Sequence, residues 1–489
     1  MSEMKLIDTT VRDGNQSLWG ATGLNTAMIL QIAPVMDQVG FQAVDFTAST
    51  HMGVAVRWYK ESPWDRIRLA KAAMPNTQLS LMSSGMRFIS WERAHDEIMR
   101  LSFKLLVDCG ISRYQLLDPF NDMSSVAKVA QMVAEEGGEE IVAAFTYTIS
   151  PIHDDDFYAE AARRIAASPH VTRTYVKDPG GMLTPERARV LFPILLDALG
   201  DKPLEFHSHC NIGLAPLTYM IAAELGIQTL HTAVAPLSNG TSQPSTEQTV
   251  SNLREMGHTV DIDDKALAEM SSYFSRLAEA EGLPRGITGE FDPLYFRHQM
   301  PGGMITTLRR HVMEAQWQGG EDALYEEIAK VREEFGYPVM VTPFSQLIAA
   351  QAAINLGASE RYETSPDEVI RYFLGRFGLP PVPMDPDVKD RVLGQPRARD
   401  LEAEPPMPGV AELRKQFGRK MPDEEFLLRV VMPGEQVDAM LAAGPTRLGY
   451  DPAVTPVTKL LKELSDRPPM RHFVIEKPDF RLELSSSDA

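Results

Sequence analysis

Along the first half of the chain, short runs of β-type apolar residues alternate with longer segments whose apolar positions recur at helical spacing. The strand-like runs are KLIDT (5–9), FQAVDF (41–46), QLSLMS (78–83), SRYQLL (112–117), EIVAAFT (140–146), RTYVKD (173–178), PLEFHSH (203–209) and TLHTAV (229–234). Between them, sets such as Met28, Ile32, Val35, Met36 and Val39, or Ile98, Leu101, Leu105 and Leu106, line one helix face. Thr184-Pro185-Glu186 reads as a helix start, with threonine as the cap and proline in the first turn. This strand–helix alternation predicts a closed parallel (β/α)8 barrel over residues 1–260. An open doubly wound sheet would alternate similarly, so spacing alone leaves that alternative standing.

Beyond residue 260 the pattern changes. Segments 263–281, 304–317, 321–335 and 365–378 read as helices with no strands between them. Residues 261–380 are therefore expected to form a helical extension that completes the active site. The stretch 381–409, with prolines at 405, 406 and 408, reads as an extended connector. Residues 410–489 read as a helical segment to about 466 followed by a polar tail ending Ser485-Ser486-Ser487. The expected architecture is thus α/β: a (β/α)8 barrel followed by a mostly helical C-terminal domain.

Composition narrows the function classes. A formal charge of −19 over 489 residues, with no basic stripe, argues against nucleic-acid binding. The two cysteines, Cys109 and Cys210, give no disulfide framework and suit a reducing cytoplasm. No signal-peptide core and no apolar run long enough for a membrane span are visible, so a cytoplasmic protein is expected.

Polar residues at strand ends supply the chemistry. His207 and His209 are two apart, so on a strand both point to one side, as a metal site requires. Asp13 follows the first strand and Lys177 ends the sixth. In a closed barrel these ends converge on one mouth, where barrel active sites lie. Asp, His and His form a mixed oxygen–nitrogen donor set suited to zinc, manganese or a similar ion. A charged Lys177 would repel that ion; it fits only if uncharged or converted to a carbamate. The plainer reading of Lys177 is a salt bridge with Asp178 or another carboxylate.

Five motifs then agree, in order, with one group of enzymes: DTTVRDGNQS (8–17), YVKDPGGMLTP (175–185), EFHSHCNIGLAP (205–216), APLSNGTSQPS (235–245) and HQMPGGM (298–304). Weaker echoes are SPWDRIR (62–68), FGYPVMVTPFSQ (335–346) and YFLGRFGLPP (372–381). The chain resembles the carboxyltransferase component of biotin-dependent carboxylases, the pyruvate carboxylase, oxaloacetate decarboxylase and transcarboxylase group, whose barrel is like that of HMG-CoA lyase. The resemblance implies that Asp13, Lys177, His207 and His209 hold a divalent metal (zinc, manganese or cobalt), with Lys177 as N6-carboxylysine. It implies that Thr241 shuttles a proton between biotin and the acceptor's methyl carbon, and that Gln16 touches the acceptor. No biotinylation motif or ATP-grasp loop is visible. A separate biotin carboxylase and a biotin carboxyl carrier protein are therefore expected, with this chain a homo-oligomer in their complex.

Metal-dependent aldol-type lyases and synthases of the HMG-CoA lyase class share the Arg12–Gln16 and His207–Asn211 segments. They lack the lysine ligand and the threonine loop, which places them second. Oxaloacetate decarboxylation is a further alternative.

The acceptor contacts depart from the family. Ser84 stands where the pyruvate-using enzymes carry an arginine that grips the acceptor's carboxylate, and Asn15 replaces a histidine. Arg87, three residues on, or Arg113 is the candidate replacement. Either the acceptor is a pyruvate-like 2-oxo acid held by one of these, or it is an aryl methyl ketone of the acetophenone type that lacks the carboxylate.

Overall fold

The computed structural model describes residues 2–89, 93–300, 320–405, 407–451, 472–477 and 480–485. The expected strands form at Glu3–Asp8 (β1), Ala43–Ala48 (β2), Gln78–Ser84 (β3), Ile111–Leu117 (β4), Glu140–Thr146 (β5), Arg173–Asp178 (β6), Leu204–Ser208 (β7) and Thr229–Thr232 (β8). Each pairs in parallel with its successor, and β1 pairs with both β8 and β2. That double pairing closes the ring and excludes the open sheet. A two-residue strand, Thr259–Val260, adds outside the ring on β1.

The helices between strands follow the apolar periodicity. Asp96–Cys109 buries Ile98, Met99, Phe103 and Leu106 toward the barrel. Pro185–Leu199 begins as its sequence suggests: the Thr184 hydroxyl accepts from the Arg187 amide at 3.1 Å.

Helices Asp264–Glu281 and Gly320–Glu334 match expectation closely, whereas 365–378 shortens to Asp367–Phe373. The segment 304–317 lies outside the described residues. Phe344–Gly357 is a helix that the sequence pattern does not mark: it is apolar around most of its circumference, so no amphipathic period shows. Leu324, Ile328, Phe335, Phe344, Ile348, Tyr372 and Phe373 build a second core, into which Phe120 from the loop after β4 is inserted. The helical unit is thereby seated on the loops at the barrel mouth.

The expected extended connector is corrected. Residues 381–409 contain helices Pro386–Leu393 and Pro396–Glu402. Their prolines occupy first turns, where no amide donor is missed, and the Asp385 carboxylate caps the Val388 amide at 2.9 Å. Three further helices, Val410–Phe417, Asp423–Val431 and Gly434–Ala442, return to the barrel, and Phe426, Leu427 and Val437 join its core. The chain end is also corrected: His472–Lys477 and Phe480–Ser485 pair as an antiparallel hairpin, so Ser485 lies in a strand. No helix among the described residues is long and apolar enough to cross a membrane.

Candidate metal centre and active site

Parallel pairing of β6 and β7 puts Lys177 beside His207. Asp13 arrives from the turn after β1, and the backbone just past β7 brings His209 to the same point. The Asp13 Oδ2 lies 3.1 Å from His207 Nε2, 3.5 Å from His209 Nε2 and 3.8 Å from Lys177 Nζ. The two Nε2 atoms are 3.3 Å apart. All four residues are buried. Gly181 shapes this corner: its φ is +65°, and a Cβ there would sit 2.2 Å from the His209 carbonyl oxygen.

Hydrogen bonds fix how these side chains face. The Nδ1 of His209 meets the Thr241 carbonyl at 2.7 Å, which makes it the protonated nitrogen and leaves Nε2 as a lone pair. Asp13 Oδ2 is buried without a hydrogen-bond donor. A carboxylate oxygen and two imidazole nitrogens, all within 4.8 Å of one another, form a donor set that fits a divalent cation. Burial opposes ionisation of Asp13, yet Arg12, His209 and Lys177 outweigh it and hold the carboxyl well below its ordinary range. Burial drives the Lys177 amine downward, against the pull of Asp13. Of the carboxylates in the plainer reading of Lys177, Asp178 is taken by the Met182 and Leu183 amides and the Ser208 hydroxyl, and the one within ion-pair reach is Asp13.

Asp13, Lys177 and His209 form one wall of a cavity of about 830 Å³, which the fully buried His207 does not line. Gln16, Ser84 and Thr241 line it, together with Arg12, Met82, Leu117 and Pro284. The helical unit contributes Val341, Thr342 and Gln346. The Gln16 Oε1 and Ser84 Oγ atoms are buried with no hydrogen-bond partner among the described residues.

Two expectations are corrected at this point. Arg87 does not reach the cavity: its guanidinium donates to the Phe377 carbonyl at 2.6 Å and to the Ser84 carbonyl at 3.3 Å, and it borders a separate hollow with Asp118 and Phe120. A three-residue displacement past the end of β3 carries the side chain to the outer side of the loop. Arg113 is buried inside the barrel against Glu140 and Glu205. Among the described residues Arg12 is the remaining arginine at the cavity, and it is already paired with Asp45 (Nε to Oδ2 2.7 Å) and Asp13 (3.2 Å).

Sequence reasoning missed Thr342 and Gln346, which lie in a segment that shows only as an echo of family motifs. It also missed Glu205 and His231. Glu205 shares the odd-numbered face of its strand with His207 and His209, a period-two signal that was available.

Comparison with known proteins follows the same line. A family model described as a conserved carboxylase domain (PYC_OADA) matches residues 296–438, the helical unit rather than the barrel. A pyruvate carboxylase subunit of Methanocaldococcus jannaschii is 34% identical over 396 residues, covering 80% of this chain and 69% of that one. This chain belongs to the carboxyltransferases of the pyruvate carboxylase/2-oxoacid carboxylase family. The 2-oxoglutarate carboxylase large subunit of Hydrogenobacter thermophilus is 30% identical, covering 91% of this chain and 70% of that one. The carboxyl transferase domain of Rhizobium etli pyruvate carboxylase (Y628A, with pyruvate) superposes with a TM-score of 0.82 at 23% identity, covering 99% and 84%. At that identity the superposition speaks for the fold: an eight-stranded parallel barrel followed by helices. Of a Rhizobium etli pyruvate carboxylase (T882A) chain, this chain spans 45%. As a member of this family the chain is the carboxyltransferase subunit of a biotin-dependent carboxylase, and the aldol-type lyases are set aside.

Proposed function

We propose that this chain moves a carboxyl group from carboxybiotin, borne on a separate carrier protein, to the methyl carbon of a ketone. The reading rests on one arrangement: Asp13, His207 and His209 cluster, and Asp13, Lys177 and His209 line a cavity that also presents Gln16, Ser84, Thr241 and Thr342. Asp13, His207 and His209 would hold the ion, and zinc, manganese and cobalt all suit such a donor set. Lys177 would be the fourth ligand as N6-carboxylysine: its neutral amine adds to CO2, an N–C bond forms and one proton leaves. Two negative ligands then balance a divalent charge, and the buried amine no longer repels it. A bound divalent ion supplies electrophilic stabilisation of an enolate oxygen.

The remaining steps fall to side chains. Gln16 and the Ser84 hydroxyl orient the ketone through their unpaired atoms. A threonine hydroxyl takes a proton from the methyl carbon while giving its own to the ureido nitrogen of biotin, from which CO2 departs. The enolate carbon bonds to that CO2. Thr241 was the expected carrier, but its hydroxyl donates to the Ser17 carbonyl at 2.8 Å. Thr342 makes no side-chain hydrogen bond among the described residues, which favours it as the carrier and Thr241 as a brace for the Ser17 turn. The apolar rim of Met82, Leu117 and Val341 protects the transient CO2 from water.

The lack of an unpaired arginine at the cavity, among the described residues, keeps an aryl methyl ketone of the acetophenone type as one reading of the acceptor, on an equal footing with the other. A pyruvate-like 2-oxo acid is the second reading. It is favoured by Arg12 at the cavity wall and by relatives named for pyruvate and 2-oxoglutarate. Those relatives are themselves named as subunits, which supports dependence on partner chains, here a biotin carboxylase and a carrier protein. Methyl hydrogen–deuterium exchange followed by NMR, with free biotin added as the proton acceptor, tests the chain without them. Metal-loaded protein should exchange the methyl protons of acetophenone, and Lys177→Ala should not. Exchange with pyruvate alone transfers the assignment to the second reading, and exchange with neither ketone overturns both.

A further inference from the structure

Behind His207, on the side away from the cavity, stand two buried side chains for which carboxyl transfer gives no use. His231 Nδ1 lies 3.3 Å from His207 Nδ1, and His231 Nε2 lies 2.8 Å from Glu205 Oε2. Glu205 also accepts from Arg113 at 2.6 Å and from Arg173. His207, His231 and Glu205 are fully buried, and the His231 ring stacks on Tyr175 at 5.4 Å.

Proton accounting along this row gives one consistent solution. Glu205, paired with two guanidinium groups, is a carboxylate and can only accept. His231 therefore carries its proton on Nε2, and a neutral ring then presents a lone pair at Nδ1. That lone pair faces His207 Nδ1, which must be the protonated nitrogen. The Nε2 of His207 is left bare, aimed at Asp13 Oδ2 3.1 Å away. An independent contact agrees from the opposite side. The Gln243 amide nitrogen lies 3.4 Å from His207 Nε2 and 3.2 Å from His209 Nε2, while its Oε1 accepts from Thr9 at 2.8 Å. An amide donor facing both nitrogens calls for lone pairs on both.

We propose that Glu205 and His231 are positioning residues that lock His207 in the tautomer able to bind the metal. The relay rests on the metal reading above and adds to it two side chains that touch neither ion nor substrate. Outer partners of metal-bound histidines contribute about 10–100-fold in affinity.

The test is Zn2+ affinity of the full-length protein by competition with a chromophoric chelator, with thermal unfolding of the metal-free protein as the fold control. His231→Phe keeps the ring against Tyr175 but removes both nitrogens, and should weaken Zn2+ binding by about 10–100-fold. His231→Gln can donate to Glu205 and accept from His207, the same polarity as the native ring, and should recover most of that loss. Glu205→Gln can donate where the carboxylate accepts, which inverts the row and should also weaken binding. Should His231→Phe fail to fold, the ordering of His231→Gln above Glu205→Gln still decides. Wild-type affinity in folded His231→Phe, or His231→Gln binding no better than Phe, overturns the relay while leaving the metal site in place. Zinc binding by wild type that Asp13→Asn leaves unchanged overturns the metal reading and the relay together.

Discussion

The Arg87 guanidinium donates to the carbonyl of Phe377 at 2.6 Å and lies over that residue's ring at 5.9 Å, tying the loop after β3 to the helical unit. Position 84, where the sequence resemblance places the family's acceptor-gripping arginine, therefore receives no cationic replacement from Arg87. Installing one is the direct experiment. Ser84→Arg places a guanidinium in the cavity and should tighten pyruvate binding about 10–100-fold, the worth of a charge-assisted hydrogen bond of about 1.5–3 kcal/mol. It should weaken acetophenone binding. Calorimetric titration of both ketones reads the switch; unchanged pyruvate affinity would mean Arg12 already serves the carboxylate.

Arg87→Ala should behave differently. It strips a donor from a buried carbonyl and should cost about 2 kcal/mol of stability. Acceptor KM should move little. Denaturant unfolding beside ketone exchange kinetics separates the two effects, and a large KM change with intact stability would return Arg87 to the acceptor site.

The two cavity threonines also give divergent expectations. Thr342→Ala removes the uncommitted hydroxyl and should lower kcat for methyl exchange about 100–10,000-fold with little change in KM. Thr241→Ala frees the Ser17 carbonyl and should act mainly on KM, by loosening the turn that carries Gln16. Steady-state exchange kinetics on both variants decide; a kcat collapse confined to Thr241→Ala reverses the assignment.

The barrel was legible because strand and helix periods differ and both recur eight times; even β5 and β6 are bounded as their apolar runs suggest. Asp13, Lys177, His207 and His209 were legible as strand-end residues of one mouth. Position along a strand says where a residue sits, whereas the aim of a loop side chain depends on packing, which is why Arg87 was misjudged. The prolines at 386 and 396 start helices inside the stretch expected to be an extended connector, because a helix start and a loop share that signal until the cap is seen. Thr342 reaches the cavity only because Phe344 and Phe120 pack at 4.6 Å and dock the helical unit on the mouth. No local pattern encodes that contact.

Lys177 gives a prediction of chemical rescue. If its carbamate is a ligand, Lys177→Ala leaves a space beside Asp13 that a small carboxylate can fill with oxygen donors. Methyl exchange should be lost in the variant and partly restored by millimolar acetate, with Zn2+ affinity rising in step. Methylammonium, which restores the amine but no oxygen, should not rescue. Recovery with the amine and not the acid would make Lys177 a proton carrier instead of a ligand.

His153 predicts how the seat of the helical unit responds to acid. Its ring is buried beside Phe157 at 4.6 Å and bonds Ser150 Oγ at 2.6 Å. Burial, reinforced by the Arg332 cation, depresses its pKa from 6.5 to about 3. Arg332 itself joins the helical unit to the loop after β5 through the Ile149 carbonyl and the Thr148 hydroxyl, both at 2.8 Å. Between the two pKa values the unfolded chain binds a proton that the native state refuses, so this residue's stabilisation is full above about pH 6.5 and drains as pH falls toward 3. The slope for one such group approaches about 1.4 kcal/mol per pH unit. His153→Phe preserves the aromatic packing and cannot titrate, so its unfolding free energy should fall less steeply than wild type between pH 6 and pH 4, an interval of about two units over which the curves part by about 2.5 kcal/mol. Denaturant titrations at several pH values measure this directly, and parallel curves would mean that His153 is protonated in the native state.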